Sequence, residues 1–307
     1  MARIDSISEA KSGGISGFIL SPAIKEFKTF YPNKVYKGEF EITNNLNTPV
    51  KIEFELFDID QDKIGAPLLT PNGNPNFSIK NWIKLCCDKV ILKPGQKKII
   101  SYEIIVPKDE LPGGKYGAIV AKVKNNAGLK NVALSAGIGH IIIGKSYKTS
   151  FMDSKIVKFN VVNKYNFNWP FKSTKFVLKI RNLGNIHERI TGALFIYKDS
   201  PTETIKVISV NPNKTLVLPK HEREYVYEYS SPPVIEVKNG TFKFNLNALS
   251  IGRYHALLRV KHYEKNKLIT EERIVSFWLL PWWLIFIILA LIIIIGKIIY
   301  GLRKQRT

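Results

Sequence analysis

Three aspartates at alternate positions have the spacing that most resembles a metal site. Asp58, Asp60 and Asp62 lie in the stretch FDIDQDKIG, as the first ligands of an EF-hand calcium loop do. That loop also needs a glycine at its sixth position and a glutamate at its twelfth, where this chain has Lys63 and Leu69. We therefore expect a solvated strand end here, and no metal ion.

The other reactive residue types are too scattered to form a catalytic pattern. None of the five histidines has a partner four residues away, and His140 lies in an apolar segment where a buried structural histidine is expected. Cys86 and Cys87 are adjacent, and such neighbours seldom form a disulfide without strain. No GxSxG, Walker, GxGxxG or CxxC motif occurs. The sequence predicts a protein that is not an enzyme and has no cofactor.

The chain is strongly basic, with 46 basic and 25 acidic residues and a net charge of +21. Lysine outnumbers arginine 37 to 9, although arginine is the residue favoured for reading bases and phosphates. Specific nucleic-acid binding is therefore not expected, whereas general attraction to anionic surfaces is. The candidate contact residues on such a surface are Lys97, Lys98 and Lys115.

Short apolar segments separated by Pro, Gly and Asn predict an all-β fold. In 34–43 and 49–59 charged and apolar residues alternate, so one strand face is solvated and the other is buried. No amphipathic helix separates the segments, which favours antiparallel sandwiches over a βαβ fold. After a flexible N-terminus (1–16), we expect two tandem immunoglobulin-like β-sandwiches, at 17–150 and 151–276.

The two predicted domains share landmarks in the same order, which indicates an internal repeat. The landmarks are an Asn/Gly turn between two strands, a Pro-led turn between an apolar and an alternating strand, and a Gly before a basic residue, a Tyr and a strand. The aligned pairs of segments are 44–57 with 181–195, 90–104 with 215–229, and 111–124 with 249–262.

The C-terminal part contains nineteen uncharged residues from Phe277 to Ile295. As a helix they would extend about 28 Å, close to the thickness of the bilayer core. We therefore predict a transmembrane helix over 277–299, followed by a basic tail over 300–307. The expected anchors at the membrane interface are Trp278, Trp282, Trp283, Lys297, Tyr300, Arg303 and Lys304.

The orientation expected from this helix is a single pass through the cell membrane, with the domains extracytoplasmic and the C-terminus cytoplasmic. Four basic residues on the tail side only narrowly outnumber three on the other flank, and the resemblance to surface proteins given below favours the same orientation. The first residues, MARIDSISEAKSGG, have no apolar segment typical of a signal peptide. Either the true start lies upstream of this Met, or the protein is mature or truncated, or it is tail-anchored with cytosolic domains, which is the alternative location.

Four segments resemble the WxL-interacting proteins of Gram-positive cell envelopes: ILSPAIKEF (19–27), YKGEFEITNN (36–45), KVILKPGQKKIISYEIIVP (89–107) and PGGKYGAIV (112–120). The order of two sandwiches, one helix and a basic tail is also similar to that family. The resemblance implies a first domain that binds peptidoglycan and a second that binds a host surface or another partner.

Together these features predict a noncatalytic, membrane-anchored envelope protein. Its expected partners are the lipid bilayer and either an anionic wall polymer (peptidoglycan or teichoic anions) or a surface protein bound through the sandwich domains. The alternative is a chaperone-like assembly accessory, in which an exposed sheet edge accepts a strand from a client.

Overall fold

The computed structural model describes residues 13–15, 17–124, 137–169, 172–230, 235–238, 241–244, 251–281 and 283–304. The strands of the first domain are β1 (Gly13–Ile15), β2 (Phe18–Ser21), β3 (Ile24–Glu26), β4 (Val35–Asn44), β5 (Val50–Gln61), β6 (Pro67–Thr70), β7 (Ile83–Leu85), β8 (Lys89–Leu92), β9 (Lys97–Ile105), β10 (Gly114–Lys124) and β11 (Gly137–Lys145). Those of the second are β12 (Ser154–Val161), β13 (Tyr165–Trp169), β14 (Thr174–Asn182), β15 (Thr191–Tyr197), β16 (Lys206–Val210), β17 (Glu222–Tyr229), β18 (Ile235–Lys238), β19 (Thr241–Phe244), β20 (Gly252–Glu264) and β21 (Lys267–Pro281). A short 3-10 turn (Lys80–Trp82) precedes β7, and helix α1 (Trp283–Lys304) follows β21. The prediction of two β-sandwich domains and a C-terminal helix is confirmed.

Strand β4 shows why these segments form strands. Phe40 and Ile42 are buried in the core, whereas Glu39 and Glu41 lie on the opposite face. This period of two buries one face of the strand and leaves the other in water. The predicted alternation is therefore present in the folded chain.

Each domain contains two sheets packed face to face, and in the second domain β18 and β19 form a further, two-stranded sheet. In the first domain the strand orders are β1-β2-β4-β9-β7 and β3-β11-β10-β5, with β6 and β8 both paired to β5. In the second they are β12-β14-β17 and β13-β21-β20-β15-β16. Strand β3 runs parallel to β11, as β13 does to β21. The order β2-β4-β9 and β3-β11-β10-β5-β6 therefore recurs in the second domain, whereas β1, β7 and β8 have no counterpart among the strands described there.

Each sandwich has its own hydrophobic core, and a third cluster joins the domains. The two cores are centred on aromatic pairs such as Phe40 with Phe54 and Phe176 with Phe277. The joining cluster consists of Tyr116, Ile141, Ile143, Leu216 and Leu218. The two domains are thus packed against each other through apolar side chains.

Helix α1 begins later than the sequence predicts. Residues 277–281 belong to β21, where Phe277 and Leu279 are buried in the core of the second domain, so the predicted start at 277 is wrong. The helix continues to Lys304, through the first part of the predicted basic tail. In the described parts of the chain, no helix combines the length and the apolar character needed to cross a membrane.

Asn44, the last residue of β4, is fully buried and closes one corner of the first sandwich. Its N–H donates to the carbonyl of Gln96 at 3.0 Å, and its carbonyl accepts from the N–H of Gly95 at 2.7 Å. Its side-chain Nδ2 donates to the carbonyls of Thr48 and Leu92, at 2.9 and 3.1 Å. One residue therefore holds the chain between β8 and β9 against the end of β4.

The same network occurs in the second domain around Asn182, which is also fully buried. Its N–H donates to the carbonyl of His221 at 2.9 Å, and its carbonyl accepts from the N–H of Lys220 at 3.0 Å. Its Nδ2 donates to the carbonyls of Ile186 and Val217, at 2.8 and 2.9 Å. The two corners are equivalent bond by bond.

This equivalence fixes the alignment of the repeat. Gly95 and Lys220 occupy the same position, and both have a left-handed backbone, with φ of 71° and 66°. Counting along the aligned segments pairs Asn45 with Asn182, but the hydrogen bonds pair Asn44 with Asn182. The sequence alignment is therefore wrong by one residue at this corner.

We expect Asn44→Ala to lower the melting temperature by about 5 °C or more. Each buried backbone group left without a partner costs about 1–3 kcal/mol, and 1 kcal/mol shifts the midpoint by about 2–4 °C in a chain of this size. Circular dichroism of the full chain in detergent micelles measures the shift. The matched control is Asn45→Ala, because Asn45 is exposed; equal midpoints for the two variants would contradict the role of Asn44.

Candidate functional site

Two of the three candidate contact lysines lie on the surface at the start of β9. Lys97 has a side chain that is 66% exposed, with its Nζ 3.4 Å from a carboxylate oxygen of Glu41. Lys98 is also exposed. Both follow directly after the turn that Asn44 holds, so this corner determines where they stand.

The backbone groups of β9 alternate between its two neighbours. The N–H and carbonyl groups of even-numbered residues point towards β4, as the bond from the Asn44 N–H to the Gln96 carbonyl shows. Odd-numbered residues face the other way, where the N–H of Cys86 donates to the carbonyl of Ser101 at 3.1 Å. Strand β7 pairs only with later residues of β9. Among the described residues, the N–H and carbonyl of Ile99 therefore have no strand partner.

We call residues 91–99 the first edge segment, and the equivalent residues 216–224 the second edge segment. Ile91 and Ile99 in the first segment are 68% and 61% exposed. Leu216, the equivalent of Ile91, is 1% exposed. The difference arises because part of the first domain covers the second edge segment.

The covering residues form the turn between β5 and β6. The N–H of Glu224 donates to the carbonyl of Lys63 at 2.8 Å, as a neighbouring strand would require. The guanidinium of Arg223 donates to the carbonyl of Gly65 at 3.3 Å and to that of Leu216 at 2.8 Å. An edge N–H and a cation thus hold a turn from another domain.

Side chains from the end of β5 complete this contact. The amide of Gln61 donates to the carbonyl of Leu216 at 2.9 Å and accepts from the N–H of Leu218 at 3.0 Å. The carboxylate of Asp60 contacts the imidazole of His221. The segment 60–65 is therefore bound along most of the second edge segment.

Further contacts across the domain boundary keep this arrangement in place. The hydroxyl of Tyr116 lies 3.0 Å from Nδ1 of His187 and accepts from the His187 N–H at 2.9 Å. Arg189 forms a 2.6 Å ion pair with Glu26. Hydrogen bonding to His187, together with Arg189, lowers the pKa of Glu26 to about 2. The carboxylate therefore stays charged over the physiological range.

The first edge segment presents groups of the same kind. By the shared asparagine, Lys98 occupies the place of Arg223, and Ile99 that of Glu224. Its ionisable residues are all basic: Lys93, Lys97 and Lys98. It therefore offers the edge N–H of Ile99 and the ammonium group of Lys98, in the position where Arg223 binds a carbonyl. The other two lysines give it further positive charge.

A groove of about 550 Å³ lies beside this edge, on the outer face of β4, β9 and β7. Lys84, Cys86 and Glu103 line it. Gly38 also lines the groove, and a side chain there would overlap the ring of Tyr102. The groove is large enough to receive side chains of a bound segment.

Lys115, the third candidate, is not a surface residue, so this part of the prediction has to be corrected. Its side chain is 1% exposed, because the segment before β7 covers the start of β10. Its Nζ donates to the carbonyl of Asn76 at 2.6 Å and lies 5.4 Å from the ring centroid of Trp82. Burial lowers the pKa of Lys115 to about 8, against a smaller opposing effect of Glu110. Lys115 therefore contacts the segment that precedes β7, at Asn76 and Trp82.

The three aspartates act separately. Asp58 accepts from the Gly73 N–H at 2.8 Å, and Asp62 accepts from the Ala66 N–H at 2.7 Å, which closes the turn after β5. Asp60 contacts the second domain, as described above. Within the described ranges, no group of three or more His, Cys, Asp or Glu side chains could hold a metal ion.

One hydrogen-bonded chain resembles a catalytic triad in composition, and the sequence analysis did not identify it. Ser154 Oγ lies 3.1 Å from Nδ1 of His262, whose Nε2 lies 3.1 Å from a carboxylate oxygen of Glu271. Ser154 and His262 are each 2% exposed. Because a substrate has no access to a serine at this depth, the chain is structural.

His140 is also a structural residue. It is fully buried, with Nε2 2.9 Å from the Tyr102 hydroxyl and Nδ1 2.7 Å from the Pro22 carbonyl. Burial lowers the pKa of His140 to about 4, so the ring is neutral at physiological pH.

Cys86 and Cys87 are free thiols with their sulfurs 3.3 Å apart.

The predicted interface anchors divide between β21 and α1. Trp278 lies in β21, and Tyr300 lies in α1 with its side chain 71% exposed. The other helix members are Trp283, Lys297, Arg303 and Lys304. Trp282 lies outside the described residues.

No protein-family model and no curated protein matches this sequence. Similar solved structures include a chaperone–tip adhesin complex of CFA/I fimbriae (TM-score 0.40, 12% identity, 83% of this chain and 98% of that one). The CupB2 chaperone of Pseudomonas aeruginosa (0.34, 10%, 80% and 96%) and the YadV chaperone (0.39, 8%, 84% and 100%) are others. These similarities, at 8–12% identity, assign no family, and membership of the WxL-interacting proteins stays a prediction.

The lowered pKa of Lys115 predicts a pH-dependent contribution to stability. Between a folded pKa of about 8 and the ordinary value of 10.5, the unfolded chain binds more protons, so stability rises with pH. We expect the wild type to gain melting temperature relative to Lys115→Met from neutral pH to about pH 10. Thermal melts of both proteins over this range measure the difference; a constant difference would mean that the pKa of Lys115 is ordinary.

Proposed function

We propose that this protein is a noncatalytic binding protein whose first edge segment accepts an extended segment of a partner protein. One observation carries the proposal. The second edge segment, built on the same asparagine corner, already holds the turn 60–65 through the N–H of Glu224 and the guanidinium of Arg223. The first edge segment has the equivalent groups exposed in Ile99 and Lys98.

The chemistry of the edge defines the kind of partner. Addition of a strand or turn to a sheet edge uses main-chain hydrogen bonds for affinity and side-chain pockets for specificity. The N–H of Ile99 would donate to a carbonyl of the partner, and Lys98 would bind a second carbonyl or a carboxylate. Because Lys93 and Lys97 add positive charge, the favoured partner segment is acidic.

This reading corresponds to an assembly accessory that holds a client through a sheet edge. Binding of an anionic wall polymer is the competing reading, which the basic charge of the surface supports. The two differ in mechanism: a polymer held by exposed charges is released by salt, since screening shortens the range of the attraction. A segment held by main-chain hydrogen bonds depends on the backbone of Ile99.

We expect a fluorescein-labelled peptide that copies residues 57–68, the segment held in the second domain, to bind the full chain in detergent micelles. Lys98→Ala should weaken this binding about tenfold or more, since a hydrogen bond from a charged group contributes about 1.5–3 kcal/mol. Fluorescence anisotropy measures both affinities. Lys89→Ala is the matched control, because Lys89 is an exposed lysine at the far end of β8.

A second pair of variants separates the backbone from the charge. Ile99→Pro removes the outward N–H and should abolish peptide binding, whereas Ile99→Thr keeps this N–H and should bind as the wild type does. Equal loss in Lys98→Ala and Lys89→Ala, or binding unaffected by Ile99→Pro, would contradict the proposal. If the protein binds a wall preparation, and salt releases it while these substitutions do not, binding of the wall polymer is favoured instead.

A second function is favoured by the side chains of α1. Every residue from 285 to 300 is exposed, and the aliphatic ones include Ile288, Leu291, Ile292 and Ile295. Residues 285–295 are apolar on all sides of the helix, and such a surface is stable only in an apolar environment. We propose that α1 contacts lipid and holds both domains at the outer face of the cell membrane.

Full-length protein expressed in a Gram-positive host should stay with the membrane fraction after an alkaline carbonate wash. Ile292→Lys should release a large part of it, since moving an unpaired ammonium group into an apolar environment is unfavourable. Val207→Lys, at an exposed position in β16, should release none. Release of the wild-type protein would contradict lipid contact, and domains that resist protease added to intact cells would contradict the outer location.

A further inference from the structure

The outer face of the second domain is aromatic at the end next to α1. Tyr165 pairs with Trp278, and Arg253 pairs with the same tryptophan from the other side, so the three side chains lie on one face of the sheet. Tyr165 and Phe167 are 53% and 48% exposed, and their rings stack at 6.4 Å. We call Tyr165, Phe167 and Trp278 the aromatic patch.

Exposed rings are unusual on an edge strand such as β13. Natural edge strands carry charged residues or proline, which prevent pairing with other chains. The sequence of β13 is YNFNW, without a charge. Strand β13 therefore lacks the residues that usually protect a sheet edge, which favours an edge covered by another surface.

The charges around the patch are positive. Lys164 lies with its Nζ 6.0 Å from the ring of Tyr165, and Arg253 is exposed. The paired segments 164–169, 252–255 and 276–281 contain no acidic residue. Aromatic rings beside cations, without carboxylates, match the headgroup region of an anionic lipid surface.

The patch is also continuous with the helix. Asn168 and Trp169 pair with Pro281, two residues before α1 begins at Trp283. Phe167 therefore lies on the strand that ends beside the start of α1. Any lipid surface that receives α1 passes close to this strand.

We propose that the aromatic patch rests on the lipid headgroups beside α1 and fixes the second domain against an anionic phospholipid surface. The rings lie at the boundary between headgroups and acyl chains, and Lys164 and Arg253 bind lipid phosphates. This inference rests on the proposed lipid contact of α1. The aromatic patch is a second point of attachment to the lipid, and it prevents the second domain from rotating about the start of α1.

Spin labels test the patch and the helix separately. In the full chain with Cys86→Ser and Cys87→Ser, single labels are placed by Phe167→Cys, Val207→Cys and Ile292→Cys. Val207 is the matched control, because it is 53% exposed at the opposite edge of the same sheet. Collision rates of each label with oxygen and with a water-soluble nickel complex are measured under two conditions. In the first the protein is in vesicles of phosphatidylcholine and phosphatidylglycerol. In the second it is kept in solution by an amphipathic polymer, without lipid or detergent.

In the vesicles we expect the nickel collision rate at position 167 to fall several-fold relative to the polymer, while that at position 207 stays unchanged. The label at 292 should favour oxygen. If 292 favours oxygen but 167 behaves as 207 does, the lipid contact of α1 holds and the patch proposal is overturned. If 292 itself collides freely with nickel, the lipid contact of α1 fails and the patch proposal fails with it.

Discussion

A buried asparagine at the end of β4 determines the shape of the edge on which the proposed function depends. Asn44 satisfies backbone groups on both sides of the turn after β8, so the chain leaves one sheet and enters the other at a fixed point. Without this side chain, buried carbonyls would have neither water nor a donor, which costs more than most surface interactions can offset. The start of β9, with Lys97 and Lys98, is placed by this constraint.

The repeat shows what such a corner can do. Asn182 builds the same corner in the second domain, and there a turn of the first domain binds along the edge through Gln61, Lys63 and Gly65. That contact buries Leu216, whereas its counterpart Ile91 is 68% exposed. The chain therefore contains two equivalent edge segments: the second has a bound turn, and the first has its binding groups exposed. The lysines of the first edge segment also disfavour pairing with arbitrary strands, so they select an acidic partner.

The features that follow local rules could be predicted from the sequence. Alternation in β4 and β5 predicted the sandwich faces, and the Pro-led turns predicted the repeat, because period and turn chemistry depend on neighbouring residues. The start of α1 was missed because a strand with one buried face, such as 277–281, is locally as apolar as a helix. The burial of Lys115 was missed because the cover comes from Asn76 and Trp82, far along the chain.

The candidate site was predictable only in part. Lys97 and Lys98 could be named as exposed basic residues, but nothing local distinguishes them from other surface lysines. Their significance depends on the contact between Arg223 and Gly65, which are 158 residues apart, and on a pairing of Asn44 with Asn182 that simple alignment places one residue away. Long-range contacts of this kind are set by the packing of the two domains.

Amide hydrogen exchange of the full chain in micelles tests the central claim most directly. We expect fast exchange at Lys97 and Ile99, and slow exchange at Lys98 and Ile100, whose N–H groups face β4. The amide of Glu224, the counterpart of Ile99, should be slow because it donates to Lys63. If the amide of Ile99 proves as protected as that of Glu224, the edge of the first domain is already covered and the account is wrong.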